Sequence, residues 1–72
     1  MEQKKSQCAQ VLRYIEQHGS ITSLEAIEDL GILRLASRIN DLKKLGYPIE
    51  VTMEHYFVNG IYKRYARYRI AE

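Results

Sequence analysis

The chain has 72 residues, which allows one domain and lies near the size at which a single hydrophobic core becomes marginal without staples. Its one cysteine excludes an internal disulfide, and Cys8, His18 and His55 lack the paired spacing of a zinc site. No apolar run approaches the ~20 residues of a membrane span, and the start does not resemble a signal peptide. We therefore expect one cytoplasmic domain over residues 1–72, with residues 1–5 disordered and with no metal, cofactor or membrane partner.

The distribution of charge is more informative than its total. A net charge of +2 is too small to indicate a nucleic-acid partner by itself. Residues 34–46 carry four basic residues and one acidic residue, as do residues 61–72, whereas residues 20–33 carry three acidic residues and residues 47–60 carry two. Positive charge is therefore concentrated in two segments.

Two helices are predicted in the first 31 residues. An apolar stripe at helical spacing indicates a first helix over residues 6–18, formed by Cys8, Val11, Leu12 and Ile15. Thr22 and Glu25 have the capping-box spacing, in which the hydroxyl and the carboxylate satisfy free backbone N–H groups at a helix start. This second helix is short, ends at Gly31, and is expected to bury Leu24, Ile27 and Leu30.

A third helix is predicted over residues 33–45, within the stretch GILRLASRINDLKKLG. One side of its helical wheel is apolar and is expected to face the core, namely Ile32, Leu35, Ala36, Ile39 and Leu42. Gly46 and Pro48 end it. Because a short glycine turn joins it to the second helix, the pair is a candidate helix-turn-helix.

The C-terminal third has the period-two alternation of half-buried strands. Between the two strands lies Asn59-Gly60, a strong signal for a type I′ turn, since both positions need positive φ. Val58 then faces Ile61. Counting outward pairs Met53 with Ala66, Val51 with Tyr68 and Ile49 with Ile70 on one face, and Glu50 with Arg69 on the other.

The predicted hairpin is long for so small a protein. Strands of ~10 residues span ~33 Å, compared with a radius of gyration of ~11 Å for a compact chain of this length. The alternation of apolar and polar residues also becomes irregular near the turn, where the core-facing positions are mixed in character, namely His55, Phe57, Tyr62 and Arg64. We therefore expect the tip to project beyond the packed body, as a wing does.

Three helices with a tight turn before the third, followed by a basic hairpin, resemble the winged helix-turn-helix superfamily of DNA-binding domains. The likeness is carried by residues 21–26, 30–32, 34, 38–39 and 42–49. The chain is similar in particular to small helix-turn-helix proteins of bacteriophages and prophages, through residues 19–26, 34–42 and 66–70. The resemblance implies an α+β fold, a three-helix winged helix-turn-helix with a C-terminal β-hairpin wing. It also implies that the third helix lies in the major groove of double-stranded DNA, with the wing on the backbone or minor groove.

The outward side of the third helix carries the candidate DNA contacts. Arg34, Ser37, Asp41 and Lys44 recur at helical spacing as one ridge, and Asn40 and Arg38 flank it. Arginine donates two hydrogen bonds to guanine, asparagine pairs likewise with adenine, and lysine or serine reaches phosphates. The plain alternative is that any surface helix is charged on its outside; the short turn and the basic hairpin favour DNA.

Arg38 and Asp41 are open to more than one interpretation. Arg38 lies near the apolar side of the wheel, so it contacts DNA, snorkels along the edge of the core, or anchors the helix to a carboxylate. Asp41 would repel phosphates, and we favour its orienting a neighbouring arginine over its contacting a base.

In the hairpin, Lys63 and Arg64 lie near the tip without an acidic partner in this register, which makes them candidates for phosphate or minor-groove contact. Arg69 has a structural partner in Glu50, and Tyr68 is expected in the core. The other hairpin tyrosines allow phosphate contact, a protein interface or simple strand propensity, with the last slightly favoured: Tyr56, Tyr62 and Tyr65.

No nucleophile and base, phosphate loop or carboxylate pair is placed by pattern, so neither an enzyme nor a small-molecule substrate is predicted. The leading hypothesis is a DNA-binding regulator or recombination accessory factor of a phage or mobile element. The alternative is a protein-binding winged module, an inhibitor or assembly adaptor, suggested by the modest net charge, the acidic second helix and the tyrosine-rich hairpin. One module buries only ~600–1,000 Å² on DNA, so tight binding suggests a homodimer or a protein partner.

Overall fold

The computed structural model describes the backbone of residues 3–71 and the side chains of residues 6–71. Its elements in chain order are α1 (Gln3–His18), β1 (Ile21–Thr22), α2 (Ser23–Glu25) continuing as a π-helical turn (Ala26–Leu30), α3 (Leu35–Lys44), β2 (Ile49–Val58) and β3 (Ile61–Ile70). The predicted α+β arrangement of helices followed by a C-terminal hairpin is confirmed.

The first helix is longer than predicted. It begins at Gln3 rather than at residue 6, and it ends at His18 as expected. Of the segment predicted to be disordered, residues 1–2 lie outside the described residues, and residues 3–5 belong to α1.

The capping box at the start of α2 is present. The Glu25 backbone N–H donates to Thr22 Oγ1 at 3.2 Å, and the Thr22 N–H donates to Glu25 Oε1 at 3.0 Å. Gly31 ends this segment with φ of 69°, a left-handed conformation that glycine adopts without steric cost.

The predicted buried face of the second helix is wrong. Leu24 and Ile27 are 63% and 43% exposed, and Leu30 is only half-buried, whereas Ala26 is completely buried. The segment is short and passes into a π-helical turn. The angular spacing of side chains there differs from that of the 3.6-residue period used to predict the buried face. The smaller Ala26 therefore packs against the core.

The third helix begins two residues later than predicted. Arg34 has φ of −115° and ψ of 58°, which is not helical, so Leu33 and Arg34 form the turn and α3 starts at Leu35. Leu35, Ile39 and Leu42 are buried as expected. Ala36 is exposed, contrary to the prediction, because the buried stripe is narrower than the apolar side of the wheel.

The hairpin register is confirmed at every predicted pair, from Val58 opposite Ile61 to Ile49 opposite Ile70. Asn59 and Gly60 have φ of 51° and 76°, as a type I′ turn requires. The described residues form a three-stranded sheet in the order β1-β3-β2, in which β1 adds Ile21 opposite Tyr68. The two residues of β1 are too few to show a strand period, so the sequence did not predict this strand.

The core lies between the helices and the proximal end of the hairpin. Its buried members come from α1, β1, the second helix, the following turn, α3 and β2, namely Cys8, Val11, Tyr14, Ile15, Ile21, Ala26, Ile32, Leu35, Ile39, Leu42 and Ile49. Tyr68 and Ile70 pack against it, in agreement with the predicted core position of Tyr68.

The core ends earlier along the hairpin than the alternation suggests. Val51 and Met53 were expected on a half-buried face, but each is 51% exposed. The apolar alternation continues past the point where the helices cover the sheet. The described chain is accordingly elongated, 42 × 28 × 20 Å with a radius of gyration of 12.7 Å, and the tip projects as predicted.

One polar contact joins α1 to the second helix. The Tyr14 hydroxyl donates to Asp29 Oδ2 at 2.6 Å, and the Tyr14 ring lies 4.2 Å from that of His18. The hydrogen bond to Asp29, and secondarily burial, raise the pKa of Tyr14 from 10.0 to about 12.

Because folding raises the pKa of Tyr14, the stabilisation that its hydrogen bond to Asp29 provides depends on pH. It is fully present below the unfolded pKa of 10.0 and is lost as the pH rises toward the folded value of about 12. We expect the difference in free energy of unfolding between the wild type and Tyr14→Phe, measured in urea, to be largest below that window and to shrink across it. A difference that stays constant would show that ionisation of Tyr14 is not coupled to folding.

Candidate nucleic-acid interface

The outer side of α3 forms an open polar depression opposite its buried stripe. The side chains around it are Arg34, Ser37, Arg38, Asn40, Asp41 and Lys44. These are the six residues that the sequence placed on the outward ridge and its flanks. The structure therefore brings the predicted helix contacts together on one surface.

The exposure of these residues differs. Arg34, Asn40 and Lys44 are exposed, while Ser37, Arg38 and Asp41 are partly buried. Arg34 stands at the start of the helix, where its carbonyl accepts from the N–H groups of Ser37 at 3.1 Å and Arg38 at 3.3 Å. Its backbone is thus fixed by the first turn of α3, while its side chain extends from the surface.

Arg38 is held against the body of the protein. Its side chain is 13% exposed, its Nη2 lies 3.0 Å from Asp41 Oδ2, and its Nη1 donates to Gln7 Oε1 of α1 at 3.3 Å. Arg38 is therefore anchored, but the contact to another element is to the amide of Gln7 and not to a carboxylate, because Asp41 lies on α3 itself. Asp41 pairs with Arg38, as the favoured orienting interpretation expects. Arg38 Nε is buried without a hydrogen-bond partner in the structure.

The wing candidates lie on opposite faces of the hairpin. Lys63 is paired with Tyr56 and Arg64 with His55, so alternation places one cation on each face. Both side chains are exposed. The tip therefore presents positive charge whichever face it turns to a partner.

The proximal part of the wing is joined to the helices by Arg67. Its Nε donates to Glu54 Oε1 at 2.9 Å, its Nη1 donates to Ser20 Oγ at 2.9 Å, and Nη1 lies 3.9 Å from Glu25 Oε1. Hydrogen bonds from Tyr65 and Arg67 lower the pKa of Glu54, and the hydrogen bond to Glu54 is the main cause of the raised pKa of Arg67.

The ion pair predicted between Glu50 and Arg69 is not formed, although the two residues are opposite each other in the register. In the described hairpin the ion pair is diagonal instead, from Arg67 to Glu54. Long side chains reach diagonal neighbours in a sheet, and the contacts of Arg67 with Ser20 and Glu25 favour that choice. No pattern in the sequence predicted these long-range partners.

The predicted contact cations, together with Arg67, thus form two groups. Among residues 6–71, ion pairs are formed by Arg38 and Arg67, whereas no ion pair is formed by the other predicted contact cations, Arg34, Lys44, Lys63 and Arg64. The second group is exposed, so its charge is available to a partner.

Neither a metal site nor a membrane span is found in the described part of the chain. No group of three His, Cys, Asp or Glu side chains is placed to hold a metal ion there. No helix within it is both long and apolar enough to cross a bilayer.

Helices joined by a tight turn, with an outward cationic ridge on α3 and a basic hairpin beside it, define a DNA-binding class of fold. The chain belongs to the winged helix-turn-helix domain family, whose sequence model matches residues 6–72. Members of this class are in general DNA-binding and not catalytic. No curated protein and no solved structure shows a significant match to the sequence.

The anchoring of Arg38 predicts a loss of stability on substitution. Arg38→Ala removes the contacts to Gln7 and Asp41 and is expected to lower the free energy of unfolding by about 1–2 kcal/mol, measured by urea denaturation. Arg34→Ala is the matched control, expected to change it by less than about 0.5 kcal/mol because its side chain is exposed and makes no ion pair. Equal effects of the two substitutions would contradict the distinction between an anchored and an exposed arginine.

Proposed function

We propose that this protein binds double-stranded DNA, with α3 in the major groove and the wing on the backbone or minor groove. The observation that carries the proposal is the set of exposed cations without ion pairs, Arg34 and Lys44 at the two ends of α3 and Lys63 and Arg64 on the wing. A polyanion is the partner that such a surface attracts. Membership of the winged helix-turn-helix family supports the same partner.

The side chains on α3 suggest a division of roles. Arg34 and Asn40 are exposed and offer the bidentate donor and acceptor groups that read guanine and adenine in the major groove. Ser37 and Lys44 are proposed to contact phosphates, which fix orientation without reading sequence. Arg38 belongs to the contact set by its position in the same depression, where Asp41 and Gln7 restrict its movement.

On the wing, Lys63 and Arg64 are proposed to contact phosphates or the minor groove. The hairpin projects from the body, and its tip carries both side chains exposed on opposite faces.

We infer a biological role as a transcriptional regulator or recombination accessory factor of a phage or mobile element, acting in the cytoplasm. The basis is the resemblance of residues 19–26, 34–42 and 66–70 to small phage and prophage helix-turn-helix proteins, together with the lone cysteine. Because one module buries only ~600–1,000 Å² on DNA, the proposal includes a homodimer or a co-bound protein as the tightly binding form.

A second candidate is a protein-binding winged module, an inhibitor or assembly adaptor. An open and largely apolar groove of about 350 Å³ between α1 and α3 favours it, lined by Cys8, Ala9, Leu12, Asp41, Leu42, Leu45 and Tyr47. Leu45 is 71% exposed there, and exposed apolar patches mark protein contacts. Binding to a protein that persists without DNA, and that a charged substitution of Leu45 abolishes, would favour this candidate.

The proposal predicts a strong dependence of affinity on salt. If about six phosphates are contacted, log affinity should fall against log salt concentration with a slope of roughly −5, measured by fluorescence anisotropy with labelled duplexes. Absence of binding at low salt would reject the proposal.

Substitutions should separate phosphate contacts from base contacts. Lys63→Ala should weaken binding to all sequences alike and reduce the slope by about 1, whereas Arg34→Ala should narrow the affinity difference between preferred and other sequences by ~1–3 kcal/mol. Arg13→Ala is the control: Arg13 is an exposed cation on α1, outside both sets, and its loss should leave slope and preference unchanged. An equal effect of all three would indicate non-specific attraction instead of the proposed geometry.

A further inference from the structure

Two aromatic rings lie side by side on one face of the wing tip. Phe57 and Tyr62 are direct partners in the hairpin register, with ring centroids 6.0 Å apart in an edge-to-face arrangement of 70°. They are 68% and 60% exposed. Neither ring is part of the core, so burial within this chain does not account for them.

The position of the Tyr62 ring is fixed despite its exposure. Its hydroxyl forms a 2.6 Å hydrogen bond with His55 Nδ1, and the two ring centroids are 5.4 Å apart. Phe57, Tyr62 and His55 therefore form a cross-strand aromatic cluster, which we call the tip platform. A surface already ordered before a partner arrives loses less conformational entropy on binding.

The surroundings of the tip platform are cationic. Residues 55–64 read HYFVNGIYKR, with two basic residues and no acidic one. Arg64 is paired with His55 and thus lies on the same face as the platform. The nearest acidic residue along β2, Glu54, is in an ion pair with Arg67 at 2.9 Å.

The platform also lies on the face of the sheet that is directed toward the core. Phe57 shares its face of β2 with Ile49, and Tyr62 shares its face of β3 with Tyr68 and Ile70, by strand alternation. Ile49 is a core residue, and Tyr68 and Ile70 pack against the same core. The platform is therefore the distal continuation of the sheet face that packs against the core formed with α1 and α3.

We propose that the Phe57 ring stacks against a nucleobase that is unstacked from the bound DNA where the wing meets it, and that the Tyr62 ring, inclined at 70° to it, meets the edge of that base, with Arg64 on the adjacent phosphate. An aromatic face beside a guanidinium and without carboxylates matches a base and its phosphate, because every base offers a π-face and a negative backbone. Apolar side chains of DNA-binding proteins separate base steps in this way. This inference rests on the proposed DNA-binding function.

The experiment uses the full chain and short duplexes, taken from a selection on a random pool, with 2-aminopurine at successive positions. This base fluoresces more strongly when it is unstacked. The wild type should raise the fluorescence at one or two neighbouring positions on the side of the site that the wing reaches. Phe57→Ala should abolish this signal and weaken binding about tenfold, while leaving the slope of log affinity against log salt unchanged.

Val58→Ala is the matched control. Val58 is also exposed at the tip and adjoins Phe57, but it lies on the opposite face, paired with Ile61. It should keep both the signal and the affinity. Phe57→Tyr should keep the signal as well, since it preserves the ring, and the urea midpoints of all variants are measured to confirm that they fold.

The possible results distinguish the two proposals. Salt-dependent binding by the wild type without a fluorescence rise at any position, or an equal rise with Phe57→Ala, overturns the tip platform and leaves DNA binding intact. Loss of the signal with Val58→Ala as well as with Phe57→Ala also overturns it, because the effect would then not belong to one face. Absence of binding by the wild type rejects the DNA-binding function and the platform together.

Discussion

The orientation of the wing depends on the guanidinium group of Arg67. It joins β3 to Glu54 of β2 at 2.9 Å and to Ser20, just before β1, at 2.9 Å, and it lies 3.9 Å from the carboxylate of Glu25. Glu25 also closes the capping box of α2. One cluster of charge therefore connects the hairpin, the short strand β1 and the start of the second helix. Because a two-stranded hairpin is marginally stable alone, these contacts and the third strand determine where the projecting tip lies relative to α3.

The separation of paired from unpaired cations reconciles the small net charge of the chain with the proposed DNA partner. Arg67 and Arg38 are paired with carboxylates and hold elements together, whereas Arg34 and Lys44 on α3 make no ion pair within residues 6–71. The acidic residues balance the total charge to +2, but much of that balance lies in these internal pairs and in the second helix. The local field near α3 and the tip, and not the net charge, is the quantity that attracts DNA.

Local signals in the sequence predicted the fold well. They predicted poorly which side chains meet the core and which distant residues contact each other. The hairpin register followed from Asn59-Gly60, since a two-residue turn leaves no freedom in pairing. Helical period could not show that Ala26 and not Leu24 meets the core, because a short segment ending in a π-helical turn lacks a stable phase. The strand β1 and the partners of Arg67 depend on residues distant in sequence, which no local pattern reports. On α3, the outward set was predicted correctly, and the anchoring of Arg38 was left among three alternatives.

The exposed apolar pairs of the wing have a structural role besides the contact proposed for one of them. Beyond Ile49 on β2 and Tyr68 on β3 no core residue covers the sheet face, so the distal strands are held by backbone hydrogen bonds and by cross-strand side-chain pairs. Aromatic and β-branched cross-strand pairs stabilise a hairpin in this way. Phe57 opposite Tyr62 on one face and Val58 opposite Ile61 on the other both serve the hairpin in this way. Only the first pair consists of aromatic rings, one of which is hydrogen-bonded to His55, and Arg64 follows it along β3 on the same face. The two faces therefore share a role in stabilising the tip and differ in the chemistry they present. For this reason, substitutions on the two faces distinguish an effect on folding from an effect on the proposed recognition of DNA.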